Sequence, residues 1–124
     1  MGAMLNYNIK GTGLEVTPEL RAYVERGLGH AEKFVQGDST AHVDIELEYQ
    51  ELRHGEHYRA EFTFSIGGEV YRAEKWAGSM HAAIDMGADD LARELRRTKR
   101  KRLHFVRRGA ARIKDFVRGW RTKI

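Results

Sequence analysis

The sequence predicts an α+β fold in the order β-α-β-β-β-α, with two helices packed on one face of a four-stranded sheet. In four short segments apolar residues alternate with polar ones, which indicates strands with one buried face. In two longer segments apolar residues recur at helical spacing. Because each helix has a single apolar stripe, both helices are expected to pack on the apolar face of the same sheet.

The first strand and the first helix are predicted near the N-terminus. Residues 5–13, LNYNIKGTG, alternate in hydropathy and end in a glycine-rich turn. Thr17 followed by Pro18 indicates a helix start, because threonine caps free amides and proline is tolerated in the first turn. The helix is expected to stop before Gly37. Its apolar stripe comprises Leu20, Val24, Leu28, Ala31 and Val35.

Three further strands follow in close succession. Residues 42–50, 58–66 and 69–77 alternate in hydropathy, and Gly67-Gly68 predicts a two-residue hairpin between the last two. A meander of this kind is antiparallel, whereas the first strand could lie beside any exposed edge in either direction. The side of the sheet that faces water is predicted to be acidic, through Asp44, Glu46, Glu48 and Glu61.

The second helix is predicted to begin at Ser79, which serves as its N-cap, and to span residues 79–102. Its buried stripe comprises Met80, Ile84, Ala88, Leu91 and Leu95. We expect residues 4–102 to form one α+β domain. Residues 103–124 are predicted to form a basic amphipathic C-terminal extension, and residues 1–3 resemble a cloning remnant.

Charge is divided unevenly along the chain of 124 residues. Residues 1–92 contain 8 basic and 16 acidic residues, whereas residues 93–124 contain 14 basic and 2 acidic ones. A strongly basic end favours a polyanionic partner, either nucleic acid or an anionic membrane. No apolar run is long enough for a transmembrane helix, and the lack of cysteine excludes disulfides and thiolate zinc sites.

No group of residues in the sequence predicts catalysis. His54 and His57 have a spacing that metal ligands can have, but no third ligand accompanies them, so no metal site is expected. Asp85, Asp89 and Asp90 lie early in a helix, where carboxylates offset the macrodipole, so they are not predicted to act as an acid and a base. We therefore expect no enzymatic activity, no cofactor and no small-molecule substrate.

Three segments of the sequence carry a family resemblance. They are LNYNIKGTGLEVTPELRAYVERGLGHAEKF, HVDIELEY and WAGSMHAAIDMGADDLARELRRTKRKR. Together they resemble the bacterial ribosome hibernation-promoting factors, also called ribosome-associated translation inhibitors. The most specific feature is the second helix, in which Met80 to Asp85 precede a leucine-containing stretch and a basic run. The resemblance covers residues 5–102.

The resemblance implies a fold similar to that of double-stranded RNA-binding domains. It also implies binding to the small ribosomal subunit, in the channel that messenger and transfer RNA would occupy. Inhibition of translation would then be steric and would belong to a stress response in the cytoplasm. The expected partner is ribosomal RNA, with ribosomal proteins as a second option.

The stretch RELRRTKRKR, residues 93–102, is the predicted anchor on RNA. Lysine and arginine side chains neutralise phosphates and release their counterions, which gives affinity with little dependence on base sequence. The predicted rRNA-binding residues of this stretch are Arg93, Arg96, Arg97, Lys99, Arg100, Lys101 and Arg102. Arg26 and Lys33 on the first helix are second candidates, and Lys75 is a third.

Alternatives remain open for the extension and for the function. Short members of the family end near the basic run, so the chain resembles a short form with an atypical extension, residues 103–124. This extension could contact RNA, a ribosomal protein, the domain itself or a membrane surface, although membrane binding is the least favoured. For the function, the alternative is a generic double-stranded RNA-binding module without ribosome specificity. An RNA-processing enzyme would require a convergent catalytic group that the sequence does not offer.

Overall fold

The fold is seen in a computed structural model, which describes residues 5–35 and 40–108. Within these residues the elements follow the predicted order. They are β1 Asn6–Thr12, α1 Pro18–Glu32, β2 His42–Tyr49, β3 Tyr58–Ile66, β4 Glu69–Ala77 and α2 Met80–Arg108. The described residues do not include Gly37, before which the first helix is predicted to stop, or residues 109–124 of the predicted extension.

The four strands form a mixed sheet in the order β1-β2-β3-β4. β1 pairs with β2 in parallel, whereas β2 with β3 and β3 with β4 pair in antiparallel fashion. A parallel pair needs a long crossover connection, and α1 provides it between β1 and β2. The structure thereby answers the question of edge and direction that the sequence left open for the first strand.

The turn between β3 and β4 is the two-residue hairpin that the sequence predicts. Gly67 and Gly68 have φ angles of 55° and 85°, in the left-handed region that L side chains rarely adopt. Positive φ at both central residues gives a turn whose twist matches that of the flanking strands. Ile66 therefore pairs directly with Glu69 across the turn.

One apolar core lies between the sheet and the helices. The inward positions of β2 and β3 are enclosed, and Val43, Leu47, Phe62 and Phe64 are inaccessible to solvent. The complete predicted stripe of the second helix, Met80, Ile84, Ala88, Leu91 and Leu95, is buried as well. α2 contacts β3, β4 and α1, so it links the first helix to the second half of the sheet.

The first helix is shorter than its apolar stripe suggests. α1 adds three buried side chains to the core, those of Val24, Leu28 and Ala31. Val35, predicted as the last member of the stripe, is buried, but it lies beyond the end of α1 at Glu32. The Oγ1 atom of Thr17 accepts a hydrogen bond from the amide of Leu20 at 3.2 Å, which confirms the predicted N-cap.

The position of α2 over the sheet depends on one glycine. A Cβ atom at Gly87 would lie 2.7 Å from Cε1 of Phe62, closer than real Cβ contacts allow. At its start, the helix is capped as predicted, since the amide of Ala82 donates to Oγ of Ser79 at 3.1 Å. Gly87 therefore lets α2 approach β3 and fixes where the side chains of the following helical turns lie.

α2 is longer than the sequence predicts. It contains 29 residues and ends at Arg108. At about 1.5 Å per residue it is roughly 44 Å long. The predicted helix end at residue 102 is therefore too early, and residues 103–108 of the predicted extension continue the same helix.

Candidate nucleic-acid interface

A basic groove lies where the edge strand β4 meets α2. Its volume is ≈ 390 Å³, and its described lining residues are Arg72, Ala73, Asp90, Arg93, Glu94, Arg96 and Arg97. Four arginines therefore face two carboxylates in one concave surface. We call this surface the arginine groove.

Helical spacing explains why these side chains meet. Asp90, Arg93, Glu94 and Arg97 follow one another at steps of three, one and three residues, so they share one side of α2. This side adjoins the buried stripe that holds α2 against β4. Arg72, which the sequence analysis did not select, comes from the outward side of β4 and completes the groove from the sheet.

Two of the groove arginines are paired with carboxylates of the preceding helical turn. Arg93 Nη1 lies 2.7 Å from Asp90 Oδ1, and its Nη2 lies 3.6 Å from Asp89 Oδ2. Arg97 Nη2 lies 2.6 Å from both carboxylate oxygens of Glu94. The side chains of Arg93 and Arg97 nevertheless remain 60% and 69% exposed, so their guanidinium groups stay accessible to a ligand.

Arg96 differs from its neighbours. Among the residues whose side chains are described, it has no ion-pair partner, and its side chain is exposed. A guanidinium group has five N–H donors, all of which are then available to a phosphate or to water. Arg96 is therefore the uncompensated cation of the described part of the groove.

Lys75 ties the groove to the sheet. Its Nζ lies 3.1 Å from Asp90 Oδ2, so the ion pair connects β4 to α2. Burial by itself would raise the pKa of the Asp90 carboxyl, but the hydrogen bonds from Lys75 and Arg93 lower that pKa below its ordinary value. Asp90 is therefore charged at neutral pH, and Lys75 is engaged inside the protein.

The remaining predicted RNA-binding residues lie elsewhere or beyond the described side chains. Arg26 stands over the ring of Tyr23 at 5.2 Å, and Lys33 over the ring of Phe34 at 5.4 Å, both on the α1 side of the molecule. The structure does not bring either one into the arginine groove. Four further predicted residues, Lys99, Arg100, Lys101 and Arg102, belong to the described backbone of α2, and their side chains lie outside the described part.

The other flank of α2, toward α1, has a different charge balance. A crevice of ≈ 340 Å³ there is lined by Tyr23, Arg26, Gly27, His30, Asp85, Ala88 and Asp89. The hydroxyl of Tyr23 donates to Asp85 at 2.9 Å, and this hydrogen bond raises the pKa of the phenol. One arginine faces two carboxylates in this crevice. Among the described side chains, the basic residues of α2 therefore lie on the side of the helix that faces β4.

The outer face of the sheet is acidic as predicted, and four of its glutamates pair with one arginine. Arg59 lies at its centre with a side chain only 11% exposed. Its guanidinium pairs with four glutamates, namely Glu46 at 2.8 Å, Glu48 at 2.7 Å, Glu61 at 3.1 Å and Glu74 at 3.1 Å. Burial would lower the pKa of Arg59, but these hydrogen bonds raise it above its ordinary value.

The register of the strands explains this cluster. Arg59 is paired with Glu48 on β2 and with Trp76 on β4, and all three side chains point away from the helices. Arg53, in the turn after β2, stacks over the Trp76 ring at 3.5 Å. Sequence reasoning missed Arg59, although it is a basic residue at an outward position of a strand whose neighbours carry glutamates.

Two other predictions concern metals and membranes. Within the described residues, no three His, Cys, Asp or Glu side chains are grouped so that they could hold a metal ion. The ring of His57 instead lies 2.9 Å from the carbonyl oxygen of Gln50, through its Nδ1 atom. None of the helices described here is both long enough and apolar enough to span a bilayer.

A known protein family matches most of the chain. The family described as "Sigma 54 modulation protein / S30EA ribosomal protein" matches residues 7–103. The chain belongs to this family. It is also similar to proteins named as ribosome hibernation factors, which confirms the resemblance seen in the sequence.

Curated relatives share about a third of their residues with the chain. A ribosome hibernation promotion factor of Bacillus subtilis strain 168 is 32% identical over 97 residues, which is 78% of this chain and 50% of the relative. The chain thus spans about half the length of this relative. A ribosome hibernation promoting factor of Pseudomonas putida strain KT2440 is 35% identical over 109 residues, which covers 87% of this chain and 100% of the relative.

Two solved structures have the same fold. The N-terminal domain of Thermus thermophilus Protein Y superposes with a TM-score of 0.64 at 26% identity, covering 75% of this chain and 98% of that domain. A ribosomal subunit interface protein from Coxiella burnetii superposes with a TM-score of 0.62 at 18% identity, covering 76% of this chain and 97% of that protein. At this low identity the second similarity concerns the fold alone.

Proposed function

We propose that this protein is a ribosome hibernation factor that binds the small ribosomal subunit in the channel for messenger and transfer RNA and inhibits translation by steric occlusion. The observation that carries the proposal is the arginine groove, which adjoins the backbone of residues 99–102, a run of four basic residues in the same helix. The names of the relatives point to ribosome hibernation. The protein acts by binding, without catalysis, and its place of action is the cytoplasm.

The physical basis of binding is charge neutralisation. Ribosomal RNA presents a dense surface of phosphates, and each phosphate that a cation neutralises releases counterions. Arginine adds two parallel hydrogen bonds to a phosphate, which positions the protein as well as attracting it. A helix about 44 Å long at roughly 1.5 Å per residue carries these contacts along an RNA groove.

The positions of the basic side chains support an assignment of the contacting residues. We assign phosphate contacts to Arg93, Arg96 and Arg97, with Arg72 added from β4. Residues 99–102 extend the same row along α2. Arg26 and Lys33 contribute only if RNA also reaches the α1 side, and Lys75 acts through Asp90 as a structural support.

The uneven charge distribution favours one side of the protein for contact with RNA. The sheet presents Asp44, Glu46, Glu48 and their neighbours on the face opposite to the helices, and like charge disfavours contact of that face with phosphates. RNA is therefore met by the α2 side. A channel with RNA on several sides accommodates such a molecule in one preferred orientation.

Co-sedimentation with ribosomes tests the proposal. Wild type is compared with a variant in which Arg93, Arg96 and Arg97 are changed to Ala, and with a control variant in which Lys10, Arg21 and Arg53 are changed to Ala. Both variants lose three positive charges, but the control changes residues outside the groove. We expect wild type and the control to travel with the small subunit, and the groove variant to remain at the top of the gradient.

Three results would contradict this expectation. If wild type stays at the top even at low salt, the protein does not bind ribosomes. If an excess of unrelated duplex RNA removes wild type from the small subunit, the protein is a generic double-stranded RNA-binding module. Equal losses for the two variants would mean that total charge, and not the arginine groove, determines binding.

A further inference from the structure

The arginine groove contains the same carboxylate–arginine pair twice. Asp90 pairs with Arg93 at 2.7 Å, and Glu94 pairs with Arg97 at 2.6 Å, each across three residues of α2. The second pair is displaced from the first by four residues, which is about one helical turn or roughly 6 Å along the axis. α2 thus presents two equivalent pairs, one above the other, along the same side.

In each pair the carboxylate is the more enclosed partner. The side chains of Asp90 and Glu94 are 29% and 37% exposed, less than those of the arginines they contact. Asp90 is also held from behind by Lys75. The carboxylates therefore lie toward the protein and the guanidinium groups lie toward the open side of the groove.

We propose that Asp90 and Glu94 are specificity-determining residues, which cancel the charge of Arg93 and Arg97 toward loosely held polyanions and hold both guanidinium groups for an RNA surface that fits the groove. The inference rests on the proposed function and assigns selectivity to that same site. Arg97 uses only Nη2 for Glu94, so its Nη1 and Nε donors stay free. Arg93 uses Nη1 for Asp90 and has a longer contact with Asp89 through Nη2, which leaves its Nε donor and one N–H on each terminal nitrogen. A phosphate at the right place can therefore bind without breaking the pair.

The pairs discriminate because phosphates on a flexible strand have no fixed position. An arginine whose charge is already compensated attracts such a strand weakly, so Arg96 supplies most of the attraction of the described groove. A folded RNA surface presents its phosphates at fixed positions and meets both prearranged forks at once. The two long side chains are already ordered in the free protein, so binding loses less conformational entropy.

The test compares Glu94→Gln with Asp89→Asn. Both changes remove one negative charge from α2 and retain a side chain of similar shape. Asp89 is 79% exposed, does not line the groove and contacts Arg93 only at 3.6 Å. Its variant leaves the Asp90–Arg93 and Glu94–Arg97 pairs in place, so it serves as the control for the loss of one negative charge. Binding to purified small ribosomal subunits and to polyuridylate is measured over a range of salt concentrations, after urea unfolding has shown that both variants are folded.

The expected result is a loss of selectivity in Glu94→Gln alone. Its affinity for polyuridylate rises about fivefold, and its salt dependence steepens by about 0.7 in the logarithmic slope, the increment for one more neutralised phosphate on a single strand. Its affinity for small subunits rises less than its affinity for polyuridylate, because Glu94 also orders the Arg97 side chain that meets a fixed phosphate there, and the loss of that order offsets part of the gain in charge. Asp89→Asn is expected to shift both affinities by the same small factor.

The ratio of the affinity for small ribosomal subunits to the affinity for polyuridylate tests the inference. If it changes no more in Glu94→Gln than in Asp89→Asn, the carboxylates contribute only net charge and the inference is wrong, while the proposed function stands. If wild type binds polyuridylate but not small subunits, the proposed function fails, and the selectivity assigned here fails with it. Asp90→Asn repeats the comparison at the other pair.

Discussion

The outer face of the sheet and the arginine groove are built from the same two kinds of charged group in opposite proportions. On the sheet one arginine, Arg59, meets four glutamates and is nearly enclosed by them. In the groove four arginines meet two carboxylates and remain largely exposed. The first arrangement satisfies a guanidinium within the protein, whereas the second leaves positive charge for a partner.

The difference shows that an arginine's role depends on its surroundings and not on its type. Each nitrogen of the Arg59 guanidinium group donates to a carboxylate, so few donors remain for RNA. Arg96 has no ionic partner among the described side chains. Substitutions at these two positions should therefore affect different properties of the protein.

The largest effect is expected from Arg59→Ala. Removing this guanidinium leaves four glutamates facing one another on neighbouring strands, and loss of one partner from an enclosed charge cluster costs about 3 kcal/mol. Urea unfolding at neutral pH should show this decrease in the free energy of unfolding. The control is Arg72→Ala, which removes an exposed arginine with one partner, Glu61, and should cost less than about 1 kcal/mol. Equal losses of unfolding free energy for the two variants would show that the enclosed Arg59 contributes no more to stability than the exposed Arg72.

The second effect is on binding and comes from Arg96→Ala. Loss of one charge-assisted contact to a phosphate costs about 2 kcal/mol, or roughly 30-fold in affinity for small ribosomal subunits. The free energy of unfolding should stay within about 0.5 kcal/mol of wild type, because Arg96 is exposed and unpaired among the described side chains. Affinity from gradients and stability from urea unfolding give the two numbers. A stability loss without a binding loss would place Arg96 with Arg59.

The third effect is the acid sensitivity of the sheet face. The pKa of Glu46 is lowered by the hydrogen bond from Thr12 and then by Arg59, and that of Glu48 by Gln50 and then by Arg59. Because these pKa values are lower in the folded chain than in the unfolded chain, their contribution to stability is complete at neutral pH. It is lost as the pH falls from about 5 through the folded-state values.

The same comparison gives a control for the acid effect. Arg59→Ala removes a cause of both lowered pKa values. Its free energy of unfolding should therefore decrease less than that of wild type between pH 6 and acidic pH, as measured by urea unfolding at each pH. Parallel curves for the two proteins would show that Arg59 does not set the pKa of these glutamates.

The smallest effect is expected from Lys75→Ala. The pair between Lys75 and Asp90 is partly exposed, so its loss should reduce the free energy of unfolding by less than about 1 kcal/mol. Binding to small subunits should change less than it does for Arg96→Ala, because the ammonium group of Lys75 is already paired with Asp90. A binding loss as large as that of Arg96→Ala would make Lys75 a direct contact.

Much of the fold could be predicted because the periodicities are local. The alternation in residues 42–50 and 58–66, the glycine pair of the hairpin and the stripe from Met80 to Leu95 all appear in the structure as expected. The predicted basic residues Arg93, Arg96 and Arg97 do meet in one groove. Their contact with RNA stays a prediction.

Other features could not be predicted because they depend on contacts between distant segments. The parallel pairing of β1 with β2, Arg72 in the groove and the role of Arg59 each require the register of two or three strands. The length of α2 was not predicted, because the boundary between domain and extension was placed where the family resemblance ends. Nothing in the sequence near residue 102 ends a helix.

The sequence by itself determined the order of elements, the division between an acidic body and a basic end, and the family, since each is written in the spacing and the identity of neighbouring residues. Only the tertiary structure decided which charges are available. An ion pair forms between side chains that the fold brings within about 4 Å, whatever their separation in the chain. Glu48 and Arg59 meet through strand register, and Lys75 and Asp90 meet through helix packing.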